Sequence, residues 1–308
     1  MLRLTLRHPI YTLDNQLLFD SGDLLTDDNL EAVIRPQKAY SYQTYPVLLY
    51  GSIKEDCHNF LKIPPYGTIF WDKKEINNLM KLLETIHLPI SIFQSLDYFK
   101  KRDLHTYAHI LTVFALSTLL AEDLLPDPEE RVRLSTTGPT HDIGKVCVPM
   151  HILRKTTPLT KTERGFIEHH TAGGYVLLSY YYKDIQQLAC KVALEHHERR
   201  DGSGYPQGIP LKDPLVEIIA VSDIYDALTK PRPYRSAPYD NRTALEEMTE
   251  MAKQGKIGWD MVKVIIAHNR KTKPHYKDII VSNEKRGTPP SHNVHGMTAE
   301  EEEKEPKD

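Results

Sequence analysis

Histidine and aspartate residues occur in this chain in short groups that suit metal binding. His141 is followed directly by Asp142, and further along the chain His196 stands beside His197. Imidazole nitrogen and carboxylate oxygen together form a donor set suited to iron, manganese or zinc. With 15 histidines in 308 residues, adjacent pairs are weak signals by themselves. The prediction of a metal site therefore depends on the residues around them.

Asp223 gives the strongest physical argument for such a site. It lies among apolar residues in the stretch from Val216 to Leu228, whose pattern predicts a buried helix. A buried carboxylate is costly unless it is paired or bound to a metal. No lysine or arginine lies within one helical turn of Asp223. A cation distant in sequence, or hydrogen bonds, is the alternative explanation.

Helical patterns place the other candidate ligands near a core. Apolar residues recur every three or four positions from Leu104 to Leu119, so His105 and His109 are expected on one face of a helix. A lone histidine in such a position is more often a hydrogen-bonded core residue than a ligand. The context of His109 must therefore decide its role.

Capping signals predict where the next two helices begin. Thr160 and Glu163 have the capping-box spacing, which predicts a helix that carries His169 and His170. Asp184 is expected to cap the following helix, whose apolar phase includes His196.

Two segments beside the candidate ligands are expected to be irregular. Gly138 and Pro139 should break or bend any helix that approaches His141. Residues 201–206 are too rich in glycine for a helix and should form a tight loop.

Together these segments resemble the HD-GYP family of metal-dependent cyclic-dinucleotide phosphodiesterases. The resemblance covers roughly residues 104–237 and follows the family's order of motifs. The motifs are His141–Lys145, His196–Pro206, Asp223–Leu228 and Arg232–Arg235. Thr106-Tyr107-Ala108-His109 likewise matches the family's first ligand motif.

The resemblance implies a binuclear metal site. It implies seven ligands: His109, His141, Asp142, His170, His196, His197 and Asp223. His170 rather than His169 fits because Gly174 follows at the family's spacing, and Asp142 is implied as the bridging carboxylate. Members with a third metal hold it through a glutamate at the position of His105, so two ions are predicted. The absence of thiolates and the six-coordinate character of such sites favour iron or manganese over zinc, and iron is the predicted metal, with manganese as the alternative.

The resemblance also implies the reaction and the substrate contacts. A hydroxide held between the two ions would attack phosphorus and convert cyclic di-GMP to pGpG, GMP or both. Lys145, with Asp142 in the catalytic group, would neutralise charge on the phosphoryl oxygens. The implied substrate contacts are Asp201, Gly204, Tyr205, Arg232 and Arg235. The glycine loop can also serve as a contact surface for diguanylate cyclase (GGDEF) domains.

Several positions depart from the family pattern. Thr171 stands where proline is usual, Thr112 where an arginine is common, and Glu217 where an arginine usually precedes the last ligand helix. Residues around a metal site typically tune affinity or activity by about 10–100-fold. Two alternatives to a cyclic di-GMP phosphodiesterase therefore remain open. One is a metal-bearing adaptor that binds a cyclic dinucleotide or a partner without turnover, and the other is a hydrolase of another nucleotide.

The predicted fold class is mainly α, with an all-helical HD-type domain and a small N-terminal α+β domain. The predicted divisions are residues 1–85, of sensor or docking role, 90–275 for the HD-GYP domain, and 276–308 for a disordered acidic tail. In the first part we expect a hairpin over residues 13–19, a helix capped at residues 26–29, and irregular or extended structure over 40–66. No residue of this part is expected to carry chemistry.

Composition excludes several classes of protein. The net charge is −3; residues 298–308 carry −4 and the remainder of the chain about +1, with no basic stripe that suits a DNA or RNA polymer. No apolar run is expected to cross a membrane, and the start of the chain meets charge too soon for a signal peptide. Three cysteines without ligand-like spacing argue against a disulfide framework. A cytoplasmic bacterial signalling protein is predicted, with a homo-oligomer left open.

Overall fold

The computed structural model describes residues 2–231, 237–282 and 284–290. Four short strands open the chain: β1 (Arg3–Thr5), β2 (Ile10–Tyr11), β3 (Leu17–Phe19) and β4 (Leu24–Thr26). β1 pairs antiparallel with β4, and β2 pairs antiparallel with β3. The turn between β2 and β3 is closed by the hydrogen bond from Thr12 N to Gln16 O, 3.0 Å long. The predicted hairpin is thus confirmed.

The rest of the N-terminal part alternates helices with two more strands. These elements are α1 (Asp27–Ile34), β5 (Thr44–Pro46), α2 (Ile53–Phe60), α3 (Tyr66–Ile69), α4 (Lys73–Glu84) and β6 (His87–Pro89). The predicted cap is confirmed, since Thr26 Oγ1 accepts a hydrogen bond from Asn29 N. The prediction of irregular structure over 40–66 is wrong for α2. This helix buries only Ile53 and Cys57, one turn apart, which is too short a pattern to recognise.

The remaining described residues are mainly helical. The helices are α5 (Ile90–Arg102), α6 (Leu104–Leu124), α7 (Pro128–Ser135), α8 (Met150–Leu153), α9 (Lys161–Glu168), α10 (His170–Tyr182), α11 (Leu188–Glu195), α12 (Pro214–Thr229), α13 (Asn241–Lys253) and α14 (Trp259–His268). The predicted fold class, mainly α with a small α+β start, is confirmed.

One apolar core runs through both parts of the chain. It extends from Leu2 to Ile279 without a break at the predicted boundary near residue 85. α6 lies at its centre and packs against α2, α5, α7 and α12. Tyr276 and Ile279 are also buried. Residues 291–308 of the predicted tail lie outside the described residues. The division into domains stays a prediction.

The length and composition of α6 differ from the expectation that the chain has no apolar run suited to crossing a membrane. Among the described residues, it is the helix long and apolar enough, by length and composition, to cross a membrane. In this structure 83% of its most apolar window is buried inside the protein. A helix packed on all sides by other elements becomes apolar around its circumference, which explains the composition.

Candidate metal centre

His109 enters the site from α6. Asp103 caps this helix by accepting a hydrogen bond from Thr106 N, which starts the helix one turn before His109. The ring of His109 is buried, whereas His105, one turn earlier, is exposed. The predicted helix is confirmed, and of the two histidines it is His109 that faces the interior.

His141 and Asp142 lie in a tight, non-helical connection. α7 ends at Ser135, and residues 138–140 and 143–147 form short 3₁₀ turns on either side of the pair. The predicted break at Gly138-Pro139 is therefore confirmed. Gly144 is required for close packing of this connection against α10, since a Cβ there would lie 1.9 Å from His170 O.

His170 is the first residue of α10, not part of α9. The capping box at Thr160 and Glu163 is confirmed, but α9 ends at Glu168 and His169 is its C-terminal cap. The prediction of one helix carrying both histidines is wrong, because the chain turns between them. This turn sends His170 into the site, while His169 lies against His8, with ring centroids 5.4 Å apart.

His196 and His197 follow the end of α11. The prediction that Asp184 caps this helix is wrong: the helix begins at Leu188, and Asp184 instead accepts a hydrogen bond from Gln186 N. His196 is the C-terminal cap of α11, and its ring points back into the core. Asp223 lies on α12, a helix capped by Asp213, as the apolar pattern predicts.

These side chains converge as two groups of three. The ligand atoms of His109, His141 and Asp223 lie within 4.8 Å of one another, and so do those of His170, His196 and His197.

Asp142 lies between the two groups. Its Oδ2 is 3.3 Å from His109 Nε2, and its Oδ1 is 3.3 Å from His170 Nε2. Each carboxylate oxygen thus faces one group, so Asp142 could contribute to the binding of an ion in either group. All seven residues predicted as ligands come together, although they come from separate elements.

Hydrogen bonds fix the tautomers of four of the rings. Nδ1 of His141 contacts Gly138 O at 2.8 Å, Nδ1 of His196 contacts Val192 O at 2.9 Å, and Nδ1 of His170 contacts Ile167 O. A carbonyl oxygen only accepts, so each Nδ1 must carry the proton and each Nε2 presents a lone pair. Nδ1 of His109 is held in the same way by a carboxylate, Asp226 Oδ2, at 2.6 Å.

This arrangement fits cations. The Nε2 atoms of His109 and His141 are 3.4 Å apart, and those of His170 and His196 are 3.3 Å apart. Lone pairs that face each other at this distance in a buried site repel unless a proton or a cation lies between them. The donor set and its burial therefore fit metal ions in both groups.

The protonation states also suit metal binding. Burial lowers the pKa of His170 to about 3 and the pKa of His196 to about 4. Burial alone would raise the pKa of Asp142, but Lys145 and His141 outweigh it and hold that pKa well below its usual range. Neutral imidazoles and ionised carboxylates are the forms that bind metals.

The site opens to solvent on one side. The side chains of His109, His141 and Asp142 are at most 2% exposed, whereas those of Lys145 and His197 are 14% and 18% exposed. A ligand must therefore approach from the side of Lys145 and His197.

The glycine-rich loop lies beside this opening. As predicted, it is not helical, and Gly204 packs so closely that a Cβ would lie 2.3 Å from His197 O. Tyr205 stacks on the ring of His197, with centroids 4.6 Å apart. Asp201 is exposed and bonds Ser203 within the loop. Arg232 and Arg235 lie outside the described residues.

Glu198 shapes this loop and was not predicted to do so. Its buried carboxylate accepts hydrogen bonds from the backbone N–H groups of Gln207, Gly208 and Ile209, at 2.7, 3.2 and 3.1 Å. Thr112 and Glu217, two positions where the sequence departs from the family pattern, both make polar contacts with basic side chains.

At Glu217, the carboxylate receives a bidentate bond from Arg200, with distances of 2.7 and 2.6 Å. At Thr112, Lys230 donates to Oγ1 at 2.8 Å. Sequence analysis also missed Asp226, which holds His109. Its spacing from Asp223, nearly one helical turn along α12, is the signal that could have identified it.

Comparison with known proteins places the chain in a family. A family model described as the HD domain matches residues 92–260, more than half of the chain. The chain belongs to the HD domain family. The predicted resemblance to the HD-GYP family is confirmed, since curated relatives of this HD domain protein are named as phosphodiesterases of cyclic di-GMP or of 3'3'-cGAMP.

Three of these relatives illustrate the range of sequence identities and of named substrates. A cyclic di-GMP phosphodiesterase from Thermotoga maritima is 38% identical over 158 residues, covering 51% of this chain and 42% of the relative. Another from Pseudomonas aeruginosa is 40% identical, covering 51% and 38%. A 3'3'-cGAMP-specific phosphodiesterase from Vibrio cholerae is 34% identical, covering 54% and 38%. The chain thus spans about two fifths of the length of the curated relatives it matches.

A solved structure also resembles this HD domain protein. It is an HDG"Y"P protein from Bdellovibrio bacteriovorus, 16% identical, with a TM-score of 0.43, covering 86% of this chain and 94% of that one.

Proposed function

We propose that this protein is a binuclear metal-dependent phosphodiesterase that hydrolyses cyclic di-GMP to pGpG, GMP or both. The observation that carries the proposal is the position of Asp142, whose two carboxylate oxygens face two separate groups of ligand atoms. Two divalent ions held by these residues would supply an activated water and positive charge for the hydrolysis of a phosphodiester. Iron is the proposed metal, with manganese as the alternative.

Side chains of the protein would orient the metal ligands and contact the substrate. The Nδ1 hydrogen bonds of His141 and His196 keep their Nε2 lone pairs aimed into the site. Lys145, at the opening, supplies positive charge where the phosphoryl oxygens would enter. Tyr205, stacked on His197, supplies an aromatic wall beside that opening, against which a guanine base can pack.

The substrate is proposed from the names of the relatives. Some are named cyclic di-GMP phosphodiesterases and others 3'3'-cGAMP-specific phosphodiesterases. Both substrates are cyclic dinucleotides with the same phosphodiester chemistry. A hydrolase of 3'3'-cGAMP is therefore the second candidate, and GGDEF domains and a second copy of the chain are the proposed protein partners.

The test joins metal analysis and hydrolysis on one anaerobically purified sample. We expect about two ions per chain and conversion of cyclic di-GMP to pGpG or GMP. Faster hydrolysis of 3'3'-cGAMP would replace the substrate. Two ions with neither product formed, but with cyclic di-GMP still bound, would establish the adaptor instead.

Two variants make the test specific to the site. Asp142→Ala should lose metal and hydrolysis while its circular dichroism stays that of a folded protein. His105→Ala, which removes the exposed histidine one turn from His109, should keep both. Wild-type protein without bound metal would overturn the proposal.

A further inference from the structure

Tyr66 reaches the candidate metal centre from outside the residues that match the HD domain. It is the first residue of α3, and the family match begins at residue 92. Its side chain is fully buried, and its hydroxyl donates a hydrogen bond of 2.6 Å to Asp226 Oδ1.

The carboxylate of Asp226 links Tyr66 to His109. Its Oδ2 lies 2.6 Å from His109 Nδ1. Its Oδ1 is 2.6 Å from the Tyr66 hydroxyl, 2.7 Å from Thr112 Oγ1 and 3.1 Å from Lys230 Nζ. The three groups around Oδ1 therefore fix the rotation of the Asp226 carboxylate. Oδ2, held in place in this way, sets the orientation of the His109 ring.

We propose that Tyr66 is a positioning residue for the metal centre and acts on His109 through Asp226. By this contact the N-terminal part of the chain sets the metal affinity of the group formed by His109, His141 and Asp223. The proposal rests on the proposed binuclear site. It gives the first part of the chain a role in the chemistry that its sequence did not suggest.

The surroundings of Tyr66 make the hydroxyl a permanent donor. Burial and the neighbouring Asp226 raise the pKa of the Tyr66 phenol well above its usual value. The ring is fixed by an edge contact with Tyr225, with centroids 6.2 Å apart, and by Lys230 Nζ at 5.0 Å from its centroid. Phenylalanine would keep these ring contacts and lose only the donor to Asp226.

Tyr107 offers a matched control. It is also buried, and its hydroxyl donates to Asp56 Oδ2 at 2.7 Å. This bond joins α6 to α2, and so connects the same two parts of the chain as Tyr66 does. Its partner Asp56 accepts hydrogen bonds from Ser52 and Lys100, whereas Asp226 contacts the candidate ligand His109.

The experiment is an anaerobic titration of the metal-free protein with Co²⁺ alone, followed by visible absorption and equilibrium dialysis. Wild-type protein should bind two equivalents. In Tyr66→Phe we expect one equivalent to weaken by about 10-fold, the lower end of the effect of residues that orient ligands, with a changed absorption band. The other equivalent should be unchanged, because His170, His196 and His197 do not depend on Asp226.

Two comparisons distinguish an effect of Tyr66 on the orientation of His109 from an effect on the stability of the whole protein. Tyr107→Phe should bind both equivalents as the wild type does, even if its denaturation midpoint falls as far as that of Tyr66→Phe. Tyr66→Phe added to Asp226→Asn should weaken binding no further, because the two residues act along one connection.

Each outcome decides the inference. Unchanged binding in Tyr66→Phe, or equal weakening in Tyr107→Phe, would overturn the role of Tyr66 and leave the binuclear site intact. Wild-type protein that binds no Co²⁺ would overturn the binuclear site and this inference together.

Discussion

The ammonium group of Lys145 lies 2.5 Å from Oδ2 of Asp142, the carboxylate oxygen that also faces His109. Asp142 is buried, whereas Lys145 extends towards the opening of the site. The lysine can therefore compensate either the carboxylate or the charge of an incoming phosphodiester. Its place in the proposed reaction can be tested separately from metal binding.

We expect Lys145→Met to lower kcat for cyclic di-GMP by about 10²–10³-fold, the effect of removing one group that stabilises transition-state charge. The metal content should remain that of the wild type, because Lys145 competes with cations for Asp142. Steady-state kinetics and metal analysis check both parts. Lys155→Met is the control, since Lys155 pairs with Glu163 away from the ligands. Loss of metal from Lys145→Met would instead assign the lysine a structural role.

Removal of the metal should destabilise the protein without unfolding it. Ligands that bind only the folded state stabilise it by about 2.7 kcal/mol when present at 100 times the dissociation constant. For a chain of 308 residues, with an unfolding entropy of about 2.1 cal/mol/K per residue, that corresponds to a fall in Tm of roughly 4 °C after chelation. Helix content should persist, because the buried apolar residues that pack the helices together remain in place when a metal is removed. Calorimetry and circular dichroism before and after chelation check this. An unchanged Tm in a protein shown to bind metal would contradict it.

Glu198 should hold the glycine-rich loop in place. Glu198→Gln replaces one carboxylate oxygen by an NH₂ group, which cannot accept a hydrogen bond from the backbone N–H groups of the loop. Buried N–H groups are then left without an acceptor, which costs about 1–3 kcal/mol of stability. Hydrogen exchange at Gln207, Gly208 and Ile209 should become faster. Asp201→Asn, a change at an exposed position of the same loop, should leave these rates unchanged. Equal rates in both variants would show that Glu198 does not order the loop.

Close packing at Gly144 should make it intolerant of a side chain. In Gly144→Ala the new Cβ would meet His170 O at 1.9 Å and Gly174 N at 2.3 Å, so the backbone must move. Overpacking of this kind costs about 1–3 kcal/mol, and the shift would also displace Asp142 and weaken metal binding. Denaturant unfolding and metal titration measure the two effects.

Gly165→Ala provides the opposite control. Gly165 lies within α9, and a Cβ there would approach nothing closer than Arg7 Nη1, at 3.6 Å. Alanine in a helix is favoured over glycine by about 1 kcal/mol, so this variant should be as stable as the wild type or more so. A loss of stability equal to that of Gly144→Ala would show that packing at residue 144 is not the cause.

Local signals in the sequence predict much of the fold. The capping box at Thr160, the cap at Thr26 and the break at Gly138-Pro139 are predictable because each depends on residues within one turn of the chain. Boundaries are predicted less accurately. The turn between His169 and His170 and the start of α11 are set by packing against other elements, so neighbouring residues do not reveal them.

The sequence by itself determined the order of the motifs and the apolar surroundings of Asp223, and the resemblance of those motifs to the HD-GYP family implied the seven candidate ligands. Only the tertiary structure decided how they are arranged. It showed that the two oxygens of Asp142 face separate groups. It also showed that Asp226 holds His109 across 117 residues of chain, and that Tyr66 holds Asp226 across 160. Contacts between residues so far apart depend on how helices pack, and no local pattern in the chain encodes them.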